Sequence, residues 1–180
     1  MKLGIKYSLM TVLTVIVLSL FLEGISLHLF SRKIHELSRA FFEEKLDRLV
    51  NFAYQQDELF FEGTYSDEFV GRLRFIDKQR INYRQIKDRN SYVFIVDMQG
   101  KAVLHPAESR WGGNFQWKVE KGQQIFDGSI MRMIREKKKG EFEYNWHGIK
   151  KWCVFDTYEP WGWVFCETTP VAEKNKVLVS

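Results

Sequence analysis

The residues best suited to ligand chemistry lie on segment 104–117, between a predicted strand and a predicted helix. Loops longer than about 12 residues in a small domain are often functional. The rings of Trp111 and Trp117 can wall an apolar pocket, and His105 or Arg110 can hold a carboxylate or another anion. The alternative is that the two tryptophans simply fill the open edge of a small core.

Strands of a predicted sheet supply further side chains that can line the same pocket. Tyr144 and Trp146 share one strand face by alternation, and so do Asp156 and Tyr158. Lys151 can bind an anion. Asp156 interrupts an apolar run, so it is either a hydrogen-bonding group of the pocket, which we favour, or a solvated strand end. The predicted ligand-binding residues are Phe94, His105, Arg110, Trp111, Trp117, Tyr144, Trp146, Lys151 and Asp156.

Spacings typical of catalysis or metal binding do not occur in the sequence. There is no phosphate loop, no H-E-x-x-H, no G-x-S-x-G and no C-x-x-C. His28 and His35 have no metal-ligand partner at helical spacing. We therefore expect no enzyme activity, cofactor or metal in this region. The net charge of +4 is spread out, and the basic run 137–139 is typical of a solvated helix end, so we expect no nucleic-acid partner.

Two cysteines, Cys153 and Cys166, fall on the last predicted hairpin. If its loop is 158–161, Thr157 pairs with Gly162 and the two cysteines lie opposite each other. Opposed cysteines at a non-hydrogen-bonded pair can approach disulfide distance, and an oxidising compartment would permit the bridge. The alternative is that both are small buried hydrophobic residues, because a one-residue change of register removes the pairing.

An apolar run near the N-terminus is long enough to cross a membrane. Its first part, 7–22, spans only about 24 Å at ~1.5 Å per residue. Extended to Phe30, it crosses the roughly 30 Å hydrocarbon layer with Glu23 near one interface. A cleaved signal peptide is the alternative, but no A-x-A pattern follows the run. We predict a cytoplasmic segment 1–6 and a transmembrane helix 7–30; basic residues on both sides leave the orientation open from charge alone.

Beyond this anchor, apolar residues at helical spacing predict one long amphipathic helix over 31–62, continuous with the membrane span. Gly63 ends this helix. Residues 66–68 can cap a second helix that runs to about Asp88.

The remaining chain alternates strands with one helix, which Gly140 is expected to stop. This order predicts an α+β domain with a five-stranded antiparallel sheet and a helix over one face. The predicted strands are 92–97, 102–104, 141–146, 150–157 and 161–168, and the predicted helix is 126–139.

Several segments together resemble the single Cache domain, a PAS-like extracytoplasmic sensor module of bacterial receptors. The run YVFIVDMQGKAVLHP at 92–106 is similar to its first hairpin. Asp127-Gly128, Gly140, and the runs 142–146 and 158–163 are similar to the rest of the module. The resemblance covers roughly residues 31–169.

This resemblance implies a long N-terminal helix packed along a PAS-like sheet, with a small-molecule pocket between the sheet and its covering loops. Such domains usually lie between two transmembrane helices of histidine kinases, chemoreceptors or diguanylate cyclases in the bacterial inner membrane. They generally bind small metabolites, often organic acids. The resemblance thus makes 31–169 the sensor domain. Segment 170–180 then leads toward a second transmembrane helix outside the sequence, and we expect a fragment rather than a stand-alone anchored sensor.

We therefore expect a membrane-anchored, extracytoplasmic, small-molecule-sensing domain of a signal transducer. Ligand would order the loop 105–117 against the sheet and shift the long helix. The stripe formed by Ile34, Leu37 and Phe41 predicts a parallel homodimer. The alternative is a membrane-anchored structural or protein-interaction domain without a small-molecule pocket.

Overall fold

The protein is built on one antiparallel sheet with helices on both of its faces. A computed structural model describes residues 2–64, 68–84, 91–107 and 118–176. The elements are α1 (Lys2–Phe61), α2 (Glu68–Arg84), β1 (Tyr92–Asp97), β2 (Ala102–Leu104), α3 (Gly128–Lys137), β3 (Lys139–Trp146), β4 (Ile149–Tyr158) and β5 (Trp163–Pro170), with 3-10 turns at Glu159–Trp161 and Val171–Lys176. The five strands form one sheet in the order β2-β1-β5-β4-β3, so the predicted α+β class and sheet are confirmed.

Helix α1 is continuous over 60 residues. Among the described residues it is the one helix whose length and composition suit a membrane span, with a mean hydropathy of 2.1 in its most apolar window. Apolar side chains of its first half, such as Leu20 and Phe21, are exposed. In its second half, Phe42, Leu46 and Ala53 are fully buried against the sheet. The same helix therefore joins the apolar N-terminal segment to the folded domain.

Aromatic rings fill the layer between the sheet and the two N-terminal helices. Trp152 of β4 stacks on Phe42 of α1, with ring centroids 5.0 Å apart. Phe75 of α2 packs edge-on against Trp163 and Phe165 of β5. Burying such rings supplies a large share of a small domain's hydrophobic stabilisation. Aromatic residues make up 16% of the chain, and this layer buries several of them as core.

The C-terminal end of α1, far from its apolar half, is hydrogen-bonded to the tip of the β4–β5 hairpin. Asp57 accepts a hydrogen bond from Trp161 Nε1 at 2.6 Å and a second from the Tyr158 hydroxyl. Burial and the neighbouring carboxylate raise the pKa of Tyr158 above its ordinary value, so the phenol remains a donor. The carboxylate thus uses both of its oxygens to hold α1 against the turn.

The opposite face of the sheet carries a second apolar layer under α3. Met131 and Ile134 of α3 pack with Phe94, Phe126 and Phe155.

Helix α3 begins with an aspartate cap. Asp127 Oδ1 accepts from the backbone N–H groups of Ser129 and Ile130 at 2.9 and 3.0 Å. These bonds satisfy donors that the first helical turn leaves open, and a further bond from the Ser129 hydroxyl to the same oxygen lowers the pKa of Asp127. The helix ends at Lys137, and Lys138 adopts φ 62° with its N–H bonded to Ile134 O.

The expected stop at Gly140 is wrong: this glycine lies in β3, where a Cβ would approach the Phe155 ring at 3.3 Å.

The β4–β5 hairpin has a register two residues away from the predicted one. Cys153 pairs with Thr168 and Phe155 pairs with Cys166, so the cysteines are diagonal neighbours. The hairpin tip is a 3-10 turn closed by Gly162 in the left-handed conformation, and the closing pair is Tyr158–Trp163, one residue later on each strand than the predicted Thr157–Gly162. The expected direct opposition of the cysteines is therefore wrong, and both are buried free thiols in the structure.

Truncation of Phe42 tests the α1–sheet contact. Phe42→Ala removes a fully buried ring from the stack on Trp152, so we expect a loss of about 3–5 kcal/mol in the free energy of unfolding. Phe61→Ala on the same helix, where 82% of the residue is exposed, should change it by no more than about 0.5 kcal/mol. Urea unfolding of the full chain in detergent micelles, followed by tryptophan fluorescence, measures both. Equal effects would contradict the packing described here.

Candidate functional site

A group of buried polar side chains lies on the α3 side of the sheet, surrounded by aromatic rings. We call it the polar cluster; each member is at most 8% exposed. Buried polar groups are costly unless they find partners, so such a concentration marks a site with a specific role. The members are Tyr92, His105, Tyr144, Lys151 and Thr168.

Strand alternation and pairing bring these residues together. Tyr92 is the first residue of β1 and pairs with Thr168 of β5. Thr168 in turn pairs with Cys153 of β4, and Lys151 lies two positions earlier on the same face of that strand. Tyr144 of β3 lies directly across from Lys151. The cluster therefore spans four neighbouring strands near one end of the sheet.

Lys151 supplies the positive charge of the cluster. Its Nζ donates a hydrogen bond to the Tyr92 hydroxyl at 3.0 Å and lies 4.3 Å from the centroid of that ring. Burial, followed by the neighbouring Cys153, raises the pKa of Tyr92 above its ordinary value. The phenol is therefore neutral, and the ammonium group rests against a ring rather than against a phenolate.

His105 is a neutral hydrogen-bond donor. Burial, followed by the charge of Lys151, lowers the pKa of His105 to about 3. Its Nδ1 accepts from the backbone N–H of Ala107 at 3.1 Å, so the single ring proton is on Nε2. The imidazole packs between the rings of Tyr92 and Phe94, with centroids 5.2 and 5.3 Å away. This packing fixes the ring orientation and with it the direction of the Nε2–H bond.

A chain of hydroxyl groups links the cluster to the backbone of β4. The Thr168 hydroxyl donates to the Trp152 carbonyl at 3.1 Å, which leaves Tyr144 as the donor in its 3.2 Å contact with Thr168 Oγ1. Burial raises the pKa of Tyr144 well above its ordinary value. Both hydroxyl groups are thus protonated and ordered.

The structure brings together five of the nine predicted ligand-binding residues. Asp156 is not among them: it lies on the α1 face, with Oδ2 3.2 Å from Lys139 Nζ, and Lys139 also pairs with Asp47 of α1. Arg110, Trp111 and Trp117 fall outside the residues that the structure describes. The five that meet are Phe94, His105, Tyr144, Trp146 and Lys151.

Sequence reasoning missed two members of the cluster, Tyr92 and Thr168. Tyr92 shares a strand face with Phe94 by alternation, and this signal was available in the sequence. Thr168 shares a face with Cys166 in the same way, but its neighbour across the strands depends on the hairpin register.

The described residues provide little for metal or thiol chemistry. Across 2–64, 68–84, 91–107 and 118–176, no three His, Cys, Asp or Glu side chains are grouped so that they could hold a metal ion. Burial raises the pKa of the Cys153 thiol well above its ordinary value, which disfavours the reactive thiolate. The chemistry that the cluster can perform is recognition by charge and hydrogen bonding.

Comparisons with known proteins agree with this architecture. A family model described as Cache domain matches residues 33–173. A solved structure titled for carboxylic acid recognition by a Cache chemosensory domain is 18% identical, with a TM-score of 0.53, covering 76% of this chain and 97% of that one. The periplasmic sensor domain of a chemotaxis protein is 19% identical, with a TM-score of 0.55 and coverages of 74% and 94%. At these identities the two structures show a shared fold. The comparison with curated proteins finds no match.

The depressed pKa of His105 predicts a pH-dependent stability. Unfolded His105 binds a proton below about pH 6.5, whereas the folded residue does so only near pH 3, so the unfolded state binds more protons in this window. Stability from this group is therefore present above pH 6.5 and is lost as the pH falls toward 3. Between pH 7 and pH 5 the loss is about 2 kcal/mol.

Urea unfolding at pH 7 and pH 5 measures this loss. His105→Asn keeps an acceptor for Ala107 and removes the titration, so its stability should fall by about 2 kcal/mol less than that of the parent. His147→Asn, at an exposed turn position with φ 50° that asparagine tolerates, should retain the parent's fall. An unchanged pH dependence in His105→Asn would contradict the prediction.

Proposed function

This chain belongs to the Cache domain family, and from that premise we propose that it senses a small organic acid for a membrane-bound signal transducer of the bacterial inner membrane. Cache domains are non-catalytic, extracytoplasmic sensor regions of such proteins. The transducer is of the histidine kinase, chemoreceptor or diguanylate cyclase type. The observation that carries the ligand class is the buried ammonium group of Lys151 beside the neutral donor His105.

A carboxylate suits this pair for electrostatic reasons. A buried ammonium group favours an anion close by, because the low dielectric of the interior strengthens their attraction. The Nε2–H of His105 adds a directional hydrogen bond. Phe94 and Trp146 supply apolar walls that exclude water from the contact.

The family relationship supports the same ligand class. A Cache chemosensory domain whose structure was solved for carboxylic acid recognition shares this fold. The ligand residues of this chain rest on its own geometry rather than on that relative, because the two are only 18% identical.

Strand β4 provides a short mechanical connection from the cluster to α1. Lys151 faces the cluster, and the next residue, Trp152, faces α1 and stacks on Phe42. The Thr168 hydroxyl is bonded to the Trp152 carbonyl, so a ligand that moves Thr168 or Lys151 also moves this tryptophan. A ligand shifts α1 only through different affinities for two arrangements of this contact, typically with about 1–3 kcal/mol of coupling.

The segment that leaves the domain touches the same tryptophan. Lys174 Nζ lies 4.2 Å from the centroid of the Trp152 ring, and the Lys174 carbonyl accepts from Ser38 Oγ of α1 at 3.3 Å. The helix that enters the domain and the turn that leaves it therefore share one contact. A displacement of Trp152 would therefore move both α1 and this turn.

A parallel homodimer through α1 completes the proposed transducer. Leu37 and Phe41 are 45% and 37% exposed on the part of α1 that packs along the sheet, and Ile34 is half-buried beside them. An apolar stripe that remains exposed after the helix has packed on its own domain suits a second copy of the same helix.

Ligand binding tests the role of Lys151. Calorimetric titration of the full chain in detergent micelles with acetate, L-lactate, L-malate and succinate should show saturable binding of at least one acid. Lys151→Met should weaken this binding by at least about 30-fold, since it removes the buried cation. Lys150→Met, which changes the neighbouring exposed lysine, should leave the affinity unchanged. The absence of any bound acid, or equal effects of the two variants, would favour a structural domain without a pocket.

Sedimentation of the same preparation tests the dimer. The parent chain should form a dimer, and Leu37→Glu should weaken it by about tenfold or more, because it places a charge in an apolar contact. Asp47→Asn, elsewhere on the same helix, serves as a polar control and should leave the dimer intact. A parent chain that stays monomeric at high concentration contradicts the proposal.

A further inference from the structure

A cavity lies on the α1 face of the sheet, between α1, α2 and the adjoining strands β1 and β5. Its volume is about 290 Å³, near the lower end of the range for small-molecule pockets. Lys45 and Arg48 contribute from α1, Tyr83 from α2, and Val93 and Glu167 from the sheet. The polar cluster described above lies on the other face of the same strands.

Glu167 lines this cavity with half of its carboxylate unsatisfied. The residue is 0% exposed, and its Oε1 accepts from Lys45 Nζ at 2.6 Å. Its Oε2 is buried and has no hydrogen-bond partner in the described part of the chain. Leaving a buried carboxylate oxygen unpaired destabilises the folded protein, and burial raises the pKa of Glu167 despite the nearby lysine. A group that donates to Oε2 from within the cavity would remove this penalty.

The exposed side of the cavity carries the opposite charge. Arg48 is 65% exposed and makes a 3.8 Å contact with the equally exposed Glu44, which is a weak surface pair. Its guanidinium group can therefore turn to a carboxylate that enters the cavity. The cavity thus combines a hydrogen-bond acceptor at its base with a cation at its mouth.

We propose that this cavity is a second binding site, for a small hydroxy- or amino-carboxylate. The hydroxyl or ammonium group of the ligand donates to Glu167 Oε2, and its carboxylate faces Arg48. The site is distinct from the polar cluster, and its existence does not depend on an acid binding there.

The two sites are adjacent through the sheet. Val93 pairs with Glu167 and Tyr92 pairs with Thr168, so consecutive pairs of β1 and β5 face the cavity and the polar cluster in turn. Tyr92 contributes to the lining of the cavity and also accepts the hydrogen bond of Lys151. Occupancy of one site therefore changes the surroundings of the other.

Calorimetric titration in a Lys151→Met background separates the two sites, because that variant lacks the cation of the polar cluster. The probes are glycolate, L-lactate, L-malate and L-serine, added to the full chain in detergent micelles. At least one should still bind. Glu167→Gln or Arg48→Gln, each added to this background, should weaken that binding at least tenfold, whereas Glu143→Gln at an exposed position on β3 should not.

Two results would overturn the second site. One is no binding by any probe in the Lys151→Met background, so that only water reaches Oε2; binding of the same probes by the parent would then assign them to the polar cluster and leave the proposed function intact. The other is binding in this background that Glu167→Gln and Arg48→Gln do not alter. Thermal melting checks the variant itself: Glu167→Gln should melt no lower than the parent, because it removes a buried charge that opposes folding.

Discussion

The contact between α1 and Trp152 is the interaction on which the rest of the structure depends. The ring stacks on Phe42, and its Nε1 donates to Glu141 Oε2 at 2.8 Å. Glu141 also contacts His35 Nε2 at 3.2 Å and Arg39 at 3.6 Å, so β3 and β4 hold α1 by apolar and polar contacts together. This contact sets the position of α1 on β4, and the bonds of Asp57 to the hairpin tip hold the far end of the same helix.

A single layer of strands therefore separates the polar cluster from α1, the helix that carries the apolar N-terminal segment. Successive residues of β4, Lys151 and Trp152, belong to the two sides. Because alternate side chains of a strand project in opposite directions, one peptide unit connects the polar cluster to the contact with α1. Under the proposed function, no long chain of intermediate contacts is needed between the ligand and the helix.

Runs of β-branched and aromatic residues predicted the strands and the α+β class, since these residues suit a pleated, half-buried surface. Alternation correctly grouped Tyr144 with Trp146, and Asp156 with Tyr158, but it does not say which face meets a ligand. For that reason Asp156 was assigned to the pocket although it pairs with Lys139 below α1. The cysteine pairing failed for a different reason: a 3-10 turn at the hairpin tip changed the register, and turn geometry is poorly specified by residue type.

The two hydrogen bonds of Asp57 provide a fixed point about which α1 can turn as a rigid body. They fix the helix at the hairpin tip, whereas Phe42 meets the strand that carries Lys151 fifteen residues earlier, about 22 Å away along the axis. Phe30, at the end of the apolar half, is about 40 Å from the same pivot. A rigid helix turning about Asp57 therefore moves at Phe30 about 1.8 times as far as it moves at Phe42. A sideways displacement of about half an ångström at Trp152, on the order of side-chain thermal motion, becomes about one ångström at Phe30.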